Sequence, residues 1–161
     1  MKIVYIDAQN IHKWVQEYWR IIDWYKFFVY LREKYKADKV KIFFGYRPEY
    51  IKLYEFLQKT WYEKIFKKIT VLPNGDIKWN VDIDIAIHSI NDYRDGVMSS
   101  MILVSSDWDY NSLVEYFHKK WIFEKLIITS FQKTSKLFSS IINFDKMLDL
   151  QSIKNKIYKK P

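Results

Sequence analysis

The chain has 161 residues, 49% of them hydrophobic, with three glycines, three prolines and no cysteine. That suffices for one domain with a substantial core and excludes disorder, collagen-like repeats, disulfides and thiolate chemistry. Its formal charge of +8, from 27 Lys and Arg against 19 Asp and Glu, attracts polyanions, nucleic acid foremost.

A composition rich in Lys, Ile and Tyr also arises from an A/T-rich genome, so charge alone leaves nucleic-acid binding open. No apolar run approaches the roughly 18 residues needed to span a bilayer. The opening stretch MKIVYIDAQN carries Asp7 inside its apolar run, unlike a signal peptide. The expectation is a soluble, cytoplasmic protein with no membrane partner.

Lys2 to Asp7 (KIVYID) predicts a strand ending in a carboxylate, followed by a helix for which Asn10 is a cap or a site residue. Residues 11 to about 36 carry helical periodicity, with a break at Asp23 that can cap a second helix. The aromatics there, among them Trp14, Tyr18, Trp19, Trp24 and Phe27, fit a core-facing stripe better than a base-stacking platform. Lys39 to Gly45 is the second strand. Pro48, at a first-turn position, opens a helix through about Trp61. Phe66 to Leu72 is the third strand, and Pro73-Asn74-Gly75-Asp76 is a hairpin turn leading to Ile77 to Val81, a short returning strand or an extended loop.

Asp82 to Tyr93 is ambiguous. Val81, Ile83, Ile85 and Ile87 alternate as in a strand, while Ile83, Ala86, Ile87 and Ile90 form a helical stripe behind Asp82 as N-cap. Its length selects the helix. Residues 100 to 106 form the next strand, Tyr110 to Lys120 a helix, and Glu124 to Thr129 a fifth strand. Ser135 to about Tyr158 predicts one or two helices around a short strand at 141 to 144. Residues 1–150 form one expected domain and residues 151–161 a basic helix end or tail. Alternating strands and helices predict an α/β sandwich with a mostly parallel sheet.

In that architecture the C-terminal strand ends share one edge, where open α/β sheets build their sites. Asp7, Asp107 and Asp109 stand at such ends, and Asp82 opens a helix on the same rim. Taken singly, each aspartate is an ordinary cap or turn residue. Gathered together, carboxylates raise one another's pKa unless a cation neutralises them. Mg²⁺ or Mn²⁺ suits such oxygen donors and acts on phosphates. Asp84, about 200° around the helix from Asp82, belongs behind the site or in solvent. Lys78 has the reach to meet a phosphate or balance the acids. Trp108 is a stacking candidate whose likelier role is burial. His12, His88 and His118 show no metal spacing, and no phosphate-binding loop or nucleophile elbow is present.

Three stretches together resemble the NYN domain, specifically its LabA-like branch within the PIN-like nuclease superfamily: Ile6 to Asn10 (IDAQN), Ile77 to Ile87 (IKWNVDIDIAI) and Leu103 to Tyr110 (LVSSDWDY). A looser likeness runs through Ser135 and through Phe144 to Leu150. The resemblance implies a PIN-like, Rossmann-like three-layer sandwich whose acidic divalent-metal site hydrolyses phosphodiesters, usually in RNA. Carried over by position, the acidic set is Asp7, Asp82, Asp107 and Asp109, with Asn10, Lys78, Asn80 and Ser105 in support; Asp84 and Ser106 stand beside them as further supporting candidates. Ser106 stands where the family usually has glycine, and a turn demanding positive φ would strain it.

The leading expectation is therefore an RNA-cleaving enzyme dependent on Mg²⁺ or Mn²⁺. Its rivals are an RNA-binding regulatory module of the same fold with weak catalysis and, further off, a phosphatase of small esters. Homodimerisation stays open.

Overall fold

The computed structural model describes residues 1–11, 22–67, 70–71, 73–75, 77–78, 80–129 and 131–159. The side chains of residues 71, 77–78, 131–133 and 135 lie outside that description, as does the whole of residues 12–21, with Trp14, Tyr18, Trp19 and His12.

Six strands form one sheet in which every neighbouring pair is parallel. They are β1 (Lys2–Asp7), β2 (Lys39–Gly45), β3 (Glu63–Lys67), β6 (Ser100–Val104), β7 (Phe123–Ile128) and β8 (Met147–Asp149). Their order across the sheet is β3-β2-β1-β6-β7-β8. From β1 the chain winds outward through β2 to β3; from β6 it winds the other way. The boundary between β1 and β6 is thus the topological switch point, where the connections leave in opposite directions and open a crevice at the strands' C-terminal ends.

Side chains alternate between two cores, as the period-2 geometry of strands requires. Val4, Ile6, Ile42 and Val104 face helices α1 (Trp24–Tyr35) and α2 (Ile51–Lys59). Ile3, Tyr5, Phe43, Leu103 and Leu126 face α3 (Asp82–Arg94), α4 (Asn111–Lys119) and α5 (Phe131–Phe138). Burial on both faces is why β1, β2, β6 and β7 are near-continuous apolar runs. Asp23 caps α1, its Oδ1 accepting from Lys26 N at 3.1 Å. A final short helix, α6 (Lys154–Ile157), packs on α1, and Ile157 O accepts from Asp23 N at 2.8 Å.

Helix α3 carries Asp82 at one end and is tied to the sheet near the other. There Asp92 Oδ2 accepts from the buried Lys41 Nζ at 2.7 Å and from Tyr5 OH at 2.6 Å. Burial and the Asp92 carboxylate push the Tyr5 phenol well above the usual range, so it stays a donor.

Two edge strands depart from expectation. The run Phe66 to Leu72 joins two elements. Its first residues end β3, which begins earlier at Glu63, while β4 (Thr70–Val71) pairs antiparallel with β5 (Ile77–Lys78) around Gly75, φ +84°. The last strand lies at 147–149 rather than 141–144. Ile141 N and Ile142 N both donate to Phe138 O and close α5 instead. Edge strands are only half covered, so their apolar signal is weak.

Candidate active site

Asp7 is the last residue of β1 and 3% exposed. Its Oδ1 accepts from Asn10 N at 3.0 Å, capping the helical turn at residues 8–11. Its Oδ2 accepts from Ser105 Oγ and Tyr110 OH, both at 3.3 Å. Burial pushes the Asp7 carboxyl up to about 6; the Asn10 N–H opposes this, the Asp82 charge adds to it, the Tyr110 hydroxyl opposes it and the Asp107 charge adds again.

The loop after β6 is knitted to β1. Ser105, fully buried, also accepts from Asp107 N at 3.1 Å, and Asn10 Oδ1 accepts from Ser106 N at 2.9 Å. Asp107 caps the 3-10 turn Trp108–Tyr110, its Oδ1 accepting from Asp109 N at 3.1 Å. That cap occupies one carboxylate oxygen, so capping and participation in a cluster are compatible. Asp82 is the first residue of α3 rather than its cap. Its N–H donates to Asn80 Oδ1 at 2.8 Å, and Val81 holds the cap position.

These elements bring three carboxylates together. One oxygen from each of Asp82, Asp107 and Asp109 lies within 4.8 Å of the others. Among the described residues no ion pair reaches any of the three. Asp7 is not one of this triad; its oxygens are engaged beside it. Asp84 stands apart, ion-paired with Lys67 at 2.7 Å. The side chain of Lys78 lies outside the description. Trp108 packs edge-on against Phe138, centroids 5.0 Å apart, which is the burial role expected of it. His88 packs edge-on against Phe43.

Ser106 carries no left-handed strain. Among the described residues, the non-glycine positions with positive φ are Lys36, Trp61 and Trp121. Its hydroxyl lies 2.6 Å from Thr129 Oγ1 and accepts from Thr129 N at 2.7 Å, tying the β6 loop to the end of β7. Ser106→Gly, which installs the family's usual residue, is therefore expected to lose about 1–3 kcal/mol, because Thr129 N–H is left without its partner. Urea denaturation of the two proteins measures this; an unchanged midpoint would show the contact to be idle.

Sequence reasoning missed two residues of this assembly. Tyr110 was expected only to open a helix, yet it is buried and donates to Asp7. Burial, followed by the Asp7 and Asp82 carboxylates, holds its phenol protonated far above the usual range. The aromatic one position after Asp109 was the available signal. Thr129 had none, because its partner lies 23 residues away.

A model of the NYN domain matches residues 2–149. The chain belongs to the NYN family. The match is to the family as a whole and singles out no branch. NYN domains have a PIN-like nuclease fold, and the acidic cluster described above lies at the switch point of that fold in this NYN domain. Among solved structures, this NYN domain is similar to a protein of unknown function from Vibrio parahaemolyticus. The TM-score is 0.74 at 18% identity, covering 98% of this chain and 96% of that one, which is a likeness of fold. No curated protein matches the chain. No helix among the described residues is long and apolar enough to cross a membrane.

Proposed function

We propose that this NYN domain hydrolyses RNA phosphodiester bonds with a divalent cation, Mg²⁺ or Mn²⁺, held by Asp82, Asp107 and Asp109. The observation that carries this reading is the approach of three carboxylates, without a basic partner among the described residues, at the switch point of the sheet. Donors that are all carboxylate oxygens, with no histidine or thiolate, fit a hard cation. Once bound, such a cation supplies Lewis-acid stabilisation of phosphate oxygens and acidifies water.

The chain's own residues assemble and hold the donor set. Asp82 comes from α3 and the other two from a single turn, so the set closes only while the β6 loop stays docked. Asp7, at the end of β1, and Asn10, in the turn that follows, dock it through the Ser105 hydroxyl and the Ser106 N–H. Tyr110, protonated, holds Asp7 in place. Asp7 adds negative potential behind the triad and is a candidate to meet the cation through water. Asn80 orients the first turn of α3 beneath Asp82. In the reaction, water oxygen bonds to phosphorus, the opposite P–O bond breaks and the departing oxygen takes a proton. The basic surface holds the RNA backbone.

The test is incubation of the full chain with mixed-sequence single-stranded RNA in Mg²⁺ or Mn²⁺ and in EDTA. Cleavage is expected with metal and not in EDTA. Cleavage that survives EDTA overturns the metal reading. Salt-sensitive binding without turnover at any metal concentration supports the regulatory module instead. Turnover of a chromogenic phosphate ester but not of RNA supports the phosphatase.

A further inference from the structure

A cavity of about 540 Å³ runs between α3 and α4, and two of the three triad residues, Asp82 and Asp109, line it. Away from them its walls turn apolar, with Ile83 and Ile90 from α3 and Leu113 and Tyr116 from α4. Ile83 is 67% exposed, so the apolar wall of the groove is open to solvent. Tyr116 is also exposed, and one turn further along stands Lys120. Its Nζ sits 5.1 Å from the Tyr116 ring centroid and 5.5 Å from that of Tyr93. Among the described residues no carboxylate pairs with Lys120, whereas its neighbour Lys119 is bound to Glu115 at 2.7 Å. Trp121, next in the chain, is 89% exposed and offers a further ring.

We propose that this α3–α4 groove is the track for single-stranded RNA leaving the scissile phosphate, with Tyr116 stacking a base and Lys120 meeting a phosphate at its far end. The proposal rests on the nuclease reading of the triad and adds to it the form of the substrate and the path of the strand. The sequence of surfaces matches that ligand. One phosphate would lie at the acidic end, where Asp82 and Asp109 would help hold a divalent cation. Base faces would lie over the isoleucines and Tyr116. A second phosphate would meet the Lys120 ammonium. From Ser112 to Lys120 the helical rise is about 12 Å, the scale of a few nucleotides. Unstacked single-stranded bases are free to lie against such side chains, whereas the bases of a duplex are already stacked and paired. Base–aromatic stacking and unpaired ammonium groups are what single-strand binding uses.

Fluorescence anisotropy of a labelled single-stranded RNA 12-mer on the full chain in EDTA, over a salt series, tests the track. Tyr116→Ala is expected to weaken binding about 5- to 50-fold. Lys120→Ala is expected to weaken it several-fold and to flatten the salt dependence by about one phosphate contact. Lys119→Ala, one residue away and already ion-paired, is expected to leave binding unchanged. In metal, both groove variants should lose more activity on the 12-mer than on a dinucleotide too short to reach Tyr116.

Wild-type affinity in both groove variants overturns the track, as does equal loss on the dinucleotide, which would place the residues' effect on the triad itself. Should Tyr116→Ala instead abolish self-association seen by sedimentation while RNA binding persists, the groove holds a second copy and the proposal fails. The two readings part cleanly. A wild-type chain that binds RNA through Tyr116 and Lys120 without cleaving it retains the track and loses the nuclease. One that cleaves RNA indifferently to both substitutions does the reverse.

Discussion

Asp107→Asn is expected to lower metal-dependent RNA cleavage by about 10³-fold, roughly 4 kcal/mol of transition-state stabilisation, without unfolding the chain. The two halves of this expectation have separate physical causes. The amide keeps Oδ1, so the cap on Asp109 N is preserved, and Asp107 N continues to donate to Ser105. What disappears is one of three negative charges crowded within 4.8 Å. Losing it weakens the hold on a divalent cation and relieves repulsion between the carboxylates, so the thermal midpoint in EDTA should stay level or rise. A midpoint several degrees lower would mean that activity was lost through folding. Full activity in the variant would remove Asp107 from the reaction. Alanine is the poorer substitution, since it deletes the cap together with the charge.

How far the sequence discloses this site depends on burial. β1, β2, β6 and β7 are legible to within a residue or two because packing on both faces forces unbroken apolar runs, and the acids after β1 and β6 interrupt them sharply. Helix α3 was harder. Its isoleucines satisfy both periods, and length selected the helix; the stripe Ile83, Ala86, Ile87 and Ile90 is not its buried face, since Ile83 and Ile87 are exposed and Ile85 and Ser89 are the buried positions. The half-exposed edges β3 and β8 carry no comparable pattern, hence their displaced bounds. Asp84 was separable from Asp82 by helical geometry alone, and its pairing with Lys67 agrees with that separation. The role of Asp82 as first helical residue, with Asn80 beneath it, was not legible, since D-x-x and N-V-D patterns both suit a cap. Long-range partners were hidden altogether. Nothing local links Thr129 to Ser106 or Tyr110 to Asp7, although these contacts decide where the loop's carboxylates stand.

Asp7→Asn is expected to stabilise the metal-free chain at neutral pH while reducing cleavage. Burial raises the Asp7 carboxyl from 3.8 in the unfolded chain to about 6. The sign follows from proton counting. Between pH 4 and 6 the folded state holds a proton that the unfolded state has released, so stability falls as pH rises through this window. Above pH 6 both states are ionised and the full penalty applies, about 3 kcal/mol for a shift of this size. Below pH 4 both are protonated and the penalty vanishes. An asparagine never ionises; its Oδ1 can still cap Asn10 N, and the Ser105 and Tyr110 hydroxyls can rotate to accept from its amide. Urea denaturation in EDTA should therefore find the variant up to about 3 kcal/mol more stable at pH 7.5, with the gain shrinking to nothing by about pH 4. A gain independent of pH, or a loss at pH 7.5, would show that the buried charge is not the source of the cost. Activity moves the other way, because the negative potential behind the triad is what the substitution removes. A buried carboxylate beside three others costs folding energy, a cost that the proposed cation would offset by neutralising the cluster.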